Sequence, residues 1–420
     1  MGEKKIFTPV VEVLLFGALL WFLDALYIIK QLEESSEVLV ATPNASTAYL
    51  MKAPSINYIE SSKVKTNNKQ SDNKNNNDPL ADREPIIKLI RDAGISFDPV
   101  EDADLILELP TWSEVVEMYG PEPVIYGINE GNCQRFQAQT DPGDHFIGTA
   151  GTFNTGTNLM SELLIQNCVM PERVKKHGPT SRGIRWQVPW GKHSPSGDKE
   201  YRTTHKTEKD KLVDANEVMP MVTIRDPLVW MKSMCRHKYT AIWEGFKETD
   251  HCPNFLRKNL VTKVRYSGFI REYESLIHLW NDYYEDYKNI DVPFLLVRFE
   301  DLVFHAEETI TKVCECAGGK RSTKFHYIVS SAKKGHSAHG VERTGYVDAL
   351  VKYGTLAKRY KGYDSIEDLT YVKDNVDAGL MEMMQYSSVD LSWPEEGKEV
   401  TEAVATAAMT TKVATKETEE

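Results

Sequence analysis

Along residues 86–395, short apolar runs of strand length alternate with longer stretches in which apolar positions recur every three or four residues. The runs at 124–126, 146–149, 219–224 and 294–297 read as strands, rich in Val, Ile, Phe, Met and Thr. Helical spacing covers 158–168, 227–237, 268–287 and 306–317, and Gly318 with Gly319 closes the last of these. Strands alternating with helices predict a parallel sheet covered by helices. No internal repeat is visible.

Two flanking regions break the pattern. Residues 6–29 are largely apolar, and at about 1.5 Å per residue such a run spans the roughly 30 Å hydrocarbon core of a bilayer. Glu12 and Asp24 interrupt it near its ends. Lys4 and Lys5 precede it while Glu33, Glu34 and Glu37 follow, so the positive-inside bias places the N-terminus in the cytosol and the remainder in a lumen. A cleaved signal peptide is the alternative. Residues 61–85 are polar and cannot bury a core, and Asn44-Ala45-Ser46 forms the chain's only N-glycosylation sequon. The expected organisation is a cytosolic tail at 1–5, a transmembrane anchor at 6–29, a flexible luminal stem at 30–85, a globular domain at 86–395 and a disordered tail at 396–420.

The 420 residues carry a formal net charge of -12, which argues against a nucleic-acid partner, since that affinity rests on Lys and Arg neutralising phosphates. The six cysteines include no CxxC pair, and Cys314 and Cys316 stand too close for a structural zinc site, so no metal is expected. In a lumen an even number permits disulfides, with Cys235 and Cys252 a candidate local pair; buried free thiols are the alternative, and connectivity stays open.

The chemistry concentrates in two segments. After the apolar run ending at Ala150 comes Gly151-Thr152-Phe153-Asn154-Thr155-Gly156-Thr157-Asn158, then a helical pattern. Strand, Gly/Thr loop and helix N-terminus together make an anion site: glycines let backbone N–H groups approach, hydroxyls donate, and the helix dipole favours negative charge. The glycine spacing is that of a Walker A loop, but Thr157 and Asn158 stand where its Lys and Ser/Thr belong. The second segment is a β-rich run leading into Arg225-Asp226-Pro227. Asp226 and Pro227 suit a helix N-cap and first turn, Arg225 stands at a strand end facing a cleft, and Ser233 lies eight residues further on.

In these two segments the chain resembles the sulfotransferase family. Gly151 to Asn158 is similar to that family's 5′-phosphosulfate loop, and residues 222–233, with Arg225 and Ser233, to its 3′-phosphate segment. A third segment, residues 296–302 with Arg298, Glu300 and Asp301, resembles the family's late Arg-aromatic-Glu-Asp-Leu strand and reads as a structural ion-pair and capping network. The likeness covers about 146–319. It implies 3′-phosphoadenosine 5′-phosphosulfate as cofactor and an α/β fold, a P-loop-type parallel sheet flanked by helices, here with an N-terminal transmembrane helix and stem. It further implies a type II protein of the Golgi membrane, with a hydroxylated acceptor, expected to be a glycan.

One position departs from the family. Relatives carry Lys or Arg where Asn154 stands, and a neutral donor forms a hydrogen bond of roughly half the strength of a charged one, so another cation is expected. Lys192 is the candidate, and the adjacent His193, in a segment similar to the family's Lys-x-His, is the candidate general base. His205 and Lys206, within a stretch rich in Lys, Arg and His, are the second choice for base and cation, and Lys333, Lys334 and His336 for a basic loop over the nucleotide. The alternatives from other classes are a P-loop kinase or nucleotidase, and a non-catalytic protein of the same fold that binds glycans.

Overall fold

The computed structural model describes residues 80–196, 199–204, 213–243, 261–266, 269–332, 345–363 and 365–393. The chain divides into a unit Met1–Lys74 and a unit Asn75–Glu420, and every described residue belongs to the second. The apolar run at 6–29, the sequon at Asn44, Cys252, the pairs His205-Lys206 and Lys333-Lys334, His336 and the tail beyond 393 lie outside the described residues.

Ten strands are described: β1 (Ile125–Tyr126), β2 (Phe146–Gly151), β3 (Cys168–Val169), β4 (Ile184–Arg185), β5 (Val218–Ile224), β6 (Ala241–Trp243), β7 (Thr262–Tyr266), β8 (Phe269–Tyr273), β9 (Leu295–Arg298) and β10 (Lys320–Arg321). Five of them form the central sheet in the order β1-β9-β5-β2-β4. β5 lies at its centre with all seven residues buried, which is why it reads as an unbroken apolar run rather than an alternating one. Its side chains nonetheless sort by period two. Met219 and Met221 enter one core with Leu163, Leu164 and Ile310, while Val218, Val222 and Ile224 enter the other with Trp230, Trp280 and Tyr284. Pro220, which cannot donate to a ladder, precedes the Met221–Ile224 stretch that pairs with β9.

The expected parallel sheet is corrected. The sheet is mixed: β2, β4, β5 and β9 run parallel, but β1 lies antiparallel on β9, through Ile125 opposite Val297. That strand is no part of a βα crossover. The chain enters it from the helix Trp112–Tyr119, is held by the Val124 amide donating to Asp301 at 2.9 Å, and leaves at Gly127. There φ is 107°, and a Cβ would lie 2.4 Å from the Phe294 carbonyl. No helix among the described residues is long and apolar enough to cross a bilayer, and the anchor expected at 6–29 lies outside those residues. The fold is a mixed α/β domain with a five-stranded, mostly parallel sheet.

The helix expected over 268–287 starts later, as Leu276–Lys288, because Phe269–Tyr273 instead pairs with β7 in an antiparallel hairpin. The remaining helices lie close to expectation: Thr157–Asn167, Pro227–Arg236 and Ala306–Cys316.

Disulfides Cys133–Cys316 and Cys168–Cys314 fasten the Ala306–Cys316 helix to the helix Asn132–Gln139 and to β3. Cys235 is oxidised as well, and no described cysteine is free. The bridges close loops with sequence separations of 183 and 146, so each restricts the unfolded chain strongly. Replacing Cys168 and Cys314 together by Ser is expected to cost about 2–5 kcal/mol in denaturant unfolding. An unchanged midpoint and slope would contradict that contribution.

Candidate functional site

The first loop leaves the C-terminal end of β2 and is shaped by contact with its neighbours. A Cβ on Gly151 would lie 2.3 Å from Thr223 Oγ1, and one on Gly156 would lie 2.3 Å from the Phe299 ring. Both glycines also have positive φ, 149° and 84°. Their lack of side chains is therefore demanded by packing against β5 and the end of β9, whatever the loop binds. Thr155 Oγ1 donates to the Thr152 carbonyl at 2.7 Å and meets Thr223 Oγ1 at 2.9 Å, so this hydroxyl braces the loop internally. Trp230 Nε1 donates to the Phe153 carbonyl at 2.7 Å.

The helix that follows begins at Thr157 with Gly156 as its N-cap, and no side chain caps it. The first-turn amides of Thr157, Asn158 and Leu159 thus meet no capping acceptor, at the positive end of the helix dipole.

The second segment ends the adjacent parallel strand β5. Asp226 and Pro227 take the anticipated N-cap and first-turn positions, with Asp226 Oδ1 accepting from the Val229 amide at 3.1 Å. Arg225 turns back onto the first loop and donates from Nη1 to the Asn154 carbonyl at 2.9 Å. Its guanidinium lies 4.4 Å from the Phe299 ring centre and 4.5 Å from that of Tyr353. Arg225 is only 4% exposed; its Nε and Nη2 make no well-aligned hydrogen bond among the described residues, and against the opposing effect of burial its charge beside the Tyr353 hydroxyl lowers that pKa. Buried charged N–H groups without aligned acceptors are costly, which suits a site completed by an anion. Ser233 is also buried; its Oγ donates to the Val229 carbonyl at 3.1 Å and accepts from Arg236 Nη2 at 3.3 Å.

Asn154, read from sequence as a missing charge, has a different part. Its φ is 60°, a left-handed conformation that Asn tolerates better than most side chains. Its Nδ2 donates to the carbonyls of His237 at 2.7 Å and Ser233 at 3.3 Å, at the end of the Pro227–Arg236 helix.

Lys192 and His193 both stand on the first loop. Gly151 N donates to the Lys192 carbonyl at 2.8 Å, His193 Nδ1 lies 2.8 Å from the Gly151 carbonyl, and Lys192 Nζ donates to Asn158 Oδ1 at 2.5 Å. The ammonium also sits 4.5 Å from the Trp186 ring centre. Burial lowers the Lys192 pKa to about 8. Burial, reinforced by the Lys192 charge, lowers that of His193 to about 4, so this imidazole is neutral at pH 7. A carbonyl only accepts, so Nδ1 carries the proton and Nε2 the lone pair. The His193 ring packs 4.9 Å from Phe153, which stacks in turn on Tyr239 at 5.3 Å.

Beneath these groups lies a buried polar layer that sequence reading only partly reached. Asp226 pairs with Arg359 at 2.8 Å, both buried. Glu300 accepts from the Asp226 amide at 3.1 Å and from the Tyr386 hydroxyl at 2.9 Å; burial and then the Asp226 charge raise its pKa to about 7. Arg298 grips Asp301 through two 2.7 Å bonds and donates to the Tyr119 carbonyl at 2.7 Å, a structural arrangement. Arg359, Tyr353 and Tyr386 belong to no recognisable motif, and their sequence neighbours give no sign of these contacts.

No family model matches the chain, and no characterised protein or solved structure does.

His193 supplies a test of this geometry. Its folded pKa is depressed from 6.5 to about 4, so as pH falls through 6.5 the unfolded chain gains a proton that the folded chain refuses. Stability is therefore expected to decline between pH 6.5 and 4, and denaturant unfolding of His193→Gln is expected to show a shallower decline in that window. Equal slopes for both proteins would contradict a half-buried, neutral His193.

Proposed function

We propose that this chain transfers a sulfuryl group from 3′-phosphoadenosine 5′-phosphosulfate to a hydroxyl on a glycan. The observation that carries the reading is the meeting of Arg225 with the first loop at the ends of adjacent parallel strands, with its Nε and Nη2 buried and lacking an aligned acceptor. A ligand with phosphates at two positions suits such a pair of segments. The open end of a parallel sheet is also where α/β proteins gather ligands.

The residues present fit the donor's charge. The uncapped first turn at Thr157–Leu159 and the Lys192 ammonium face one anionic end, and Arg225 with the buried Ser233 region faces the other. Lys192 supplies the cation that position 154 lacks. When bound, the donor supplies the activated sulfuryl group. The chain's own work is to orient the acceptor and take its proton, and His193 is suited to this: Nδ1 is fixed on the Gly151 carbonyl and the Nε2 lone pair is left to accept. A pKa near 4 keeps the base form populated throughout the neutral range. It also makes His193 a weak base, so electrostatic stabilisation of the developing charge must carry much of the rate. The disulfides favour an oxidising, secretory compartment.

A P-loop kinase would need Lys and Ser/Thr where Thr157 and Asn158 stand. Incubating the purified chain with sulfur-labelled donor and a panel of glycans is expected to give labelled product without ATP. His193→Ala is expected to lower turnover by about 10²-fold or more while leaving donor affinity within a few-fold. Transfer to no acceptor combined with no binding of the bisphosphate product would overturn the reading, and donor binding with no turnover would point to a glycan-binding role.

A further inference from the structure

The geometry points to Asn154 as a positioning residue that couples the two halves of the donor site, so that ordering either half orders the other. The inference rests on the sulfuryl-transfer reading above, and it assigns to this position something other than the charge the family resemblance leads one to look for.

Both polar ends of Asn154 engage the second segment. Its carbonyl accepts from Arg225 Nη1 at 2.9 Å. Its side-chain Nδ2 donates to the His237 carbonyl at 2.7 Å and the Ser233 carbonyl at 3.3 Å, with Met234 Sδ at 3.2 Å. All three of these neighbours are acceptors, which fixes the orientation of the amide. The Ser233 carbonyl also accepts from the His237 amide at 3.0 Å, so the Asn154 amide meets this helix where its last turn closes, at the Ser233 carbonyl and at the carbonyl of the residue that caps it. The same residue holds the backbone at φ 60°, where the first loop reverses. Loop conformation, the aim of Arg225 and the end of the Ser233 helix therefore share one residue. A longer cationic side chain at 154 would lose both the ready left-handed backbone and the short reach to the two carbonyls. The loop's charge then has to come from elsewhere, and Lys192, 2.5 Å from Asn158, is placed to supply it.

The test compares adenosine 3′,5′-bisphosphate with adenosine 5′-monophosphate by titration calorimetry on the full chain, wild type and Asn154→Gly. Glycine keeps the positive φ and removes the amide. The wild type is expected to favour the bisphosphate strongly. In Asn154→Gly that preference is expected to shrink about tenfold, the loss of one or two hydrogen bonds' worth of positioning, while the monophosphate affinity changes far less. Asn154→Asp, which keeps the shape but places a carboxylate against carbonyls, is expected not to rescue the preference.

A second measurement needs no variant. Inorganic pyrophosphate added to the wild type is expected to slow amide hydrogen exchange in residues 233–237 as well as in the loop. An unchanged bisphosphate-to-monophosphate ratio in a folded Asn154→Gly, or protection confined to the loop, would overturn the coupling while leaving the transfer reading intact. Failure of the wild type to bind either nucleotide would instead remove the reading on which the coupling rests.

Discussion

The site depends on one guanidinium. Arg225 leaves the end of β5, crosses to the Asn154 carbonyl and packs against both the Phe299 and Tyr353 rings, buried and with two nitrogens lacking an aligned acceptor. Burying a charge without full pairing is expensive, and the surrounding structure is arranged to hold it there. Glu300 and Asp226 place carboxyl groups close by, Arg359 balances Asp226, and Tyr386 and the Asp226 amide fix Glu300. Remove the arginine, and this layer would be left with surplus acid.

The same constraint explains the glycines. In a phosphate loop they are usually credited with letting a ligand approach. Here a side chain at either Gly151 or Gly156 would collide first with Thr223 or Phe299, groups of the strand ends that carry Arg225 and the Arg298–Asp301 pair. The loop is pressed onto the sheet by its own protein, and its shape follows from that packing together with the Thr155 and Asn154 braces.

Much of this was legible in the sequence, for physical reasons. Fully buried parallel strands read as apolar runs, so β2, β5 and β9 stood out, and the Gly/Thr cluster and Asp226-Pro227 mark a loop and a helix start through their own backbone preferences. What stayed hidden depends on partners distant in sequence. β1 turns antiparallel on a contact with Asp301, 177 positions away, and the Arg359 pairing spans 133 positions. Asn154 looked like a lost charge because residue type alone shows neither its φ nor carbonyls 79 and 83 positions along the chain. The helical spacing before Leu276 misled because cross-strand pairing with β7 outweighs local pattern.

Under the proposed function the two segments joined by Arg225 form one donor site, and titration of adenosine 3′,5′-bisphosphate into the wild type and Arg225→Ala is its sharpest test. Saturable one-to-one binding is expected, weakening by at least about tenfold in the variant, the worth of a charge-assisted contact of roughly 1.5–3 kcal/mol. Equal affinity in a folded Arg225→Ala, or no binding by the wild type, would contradict it.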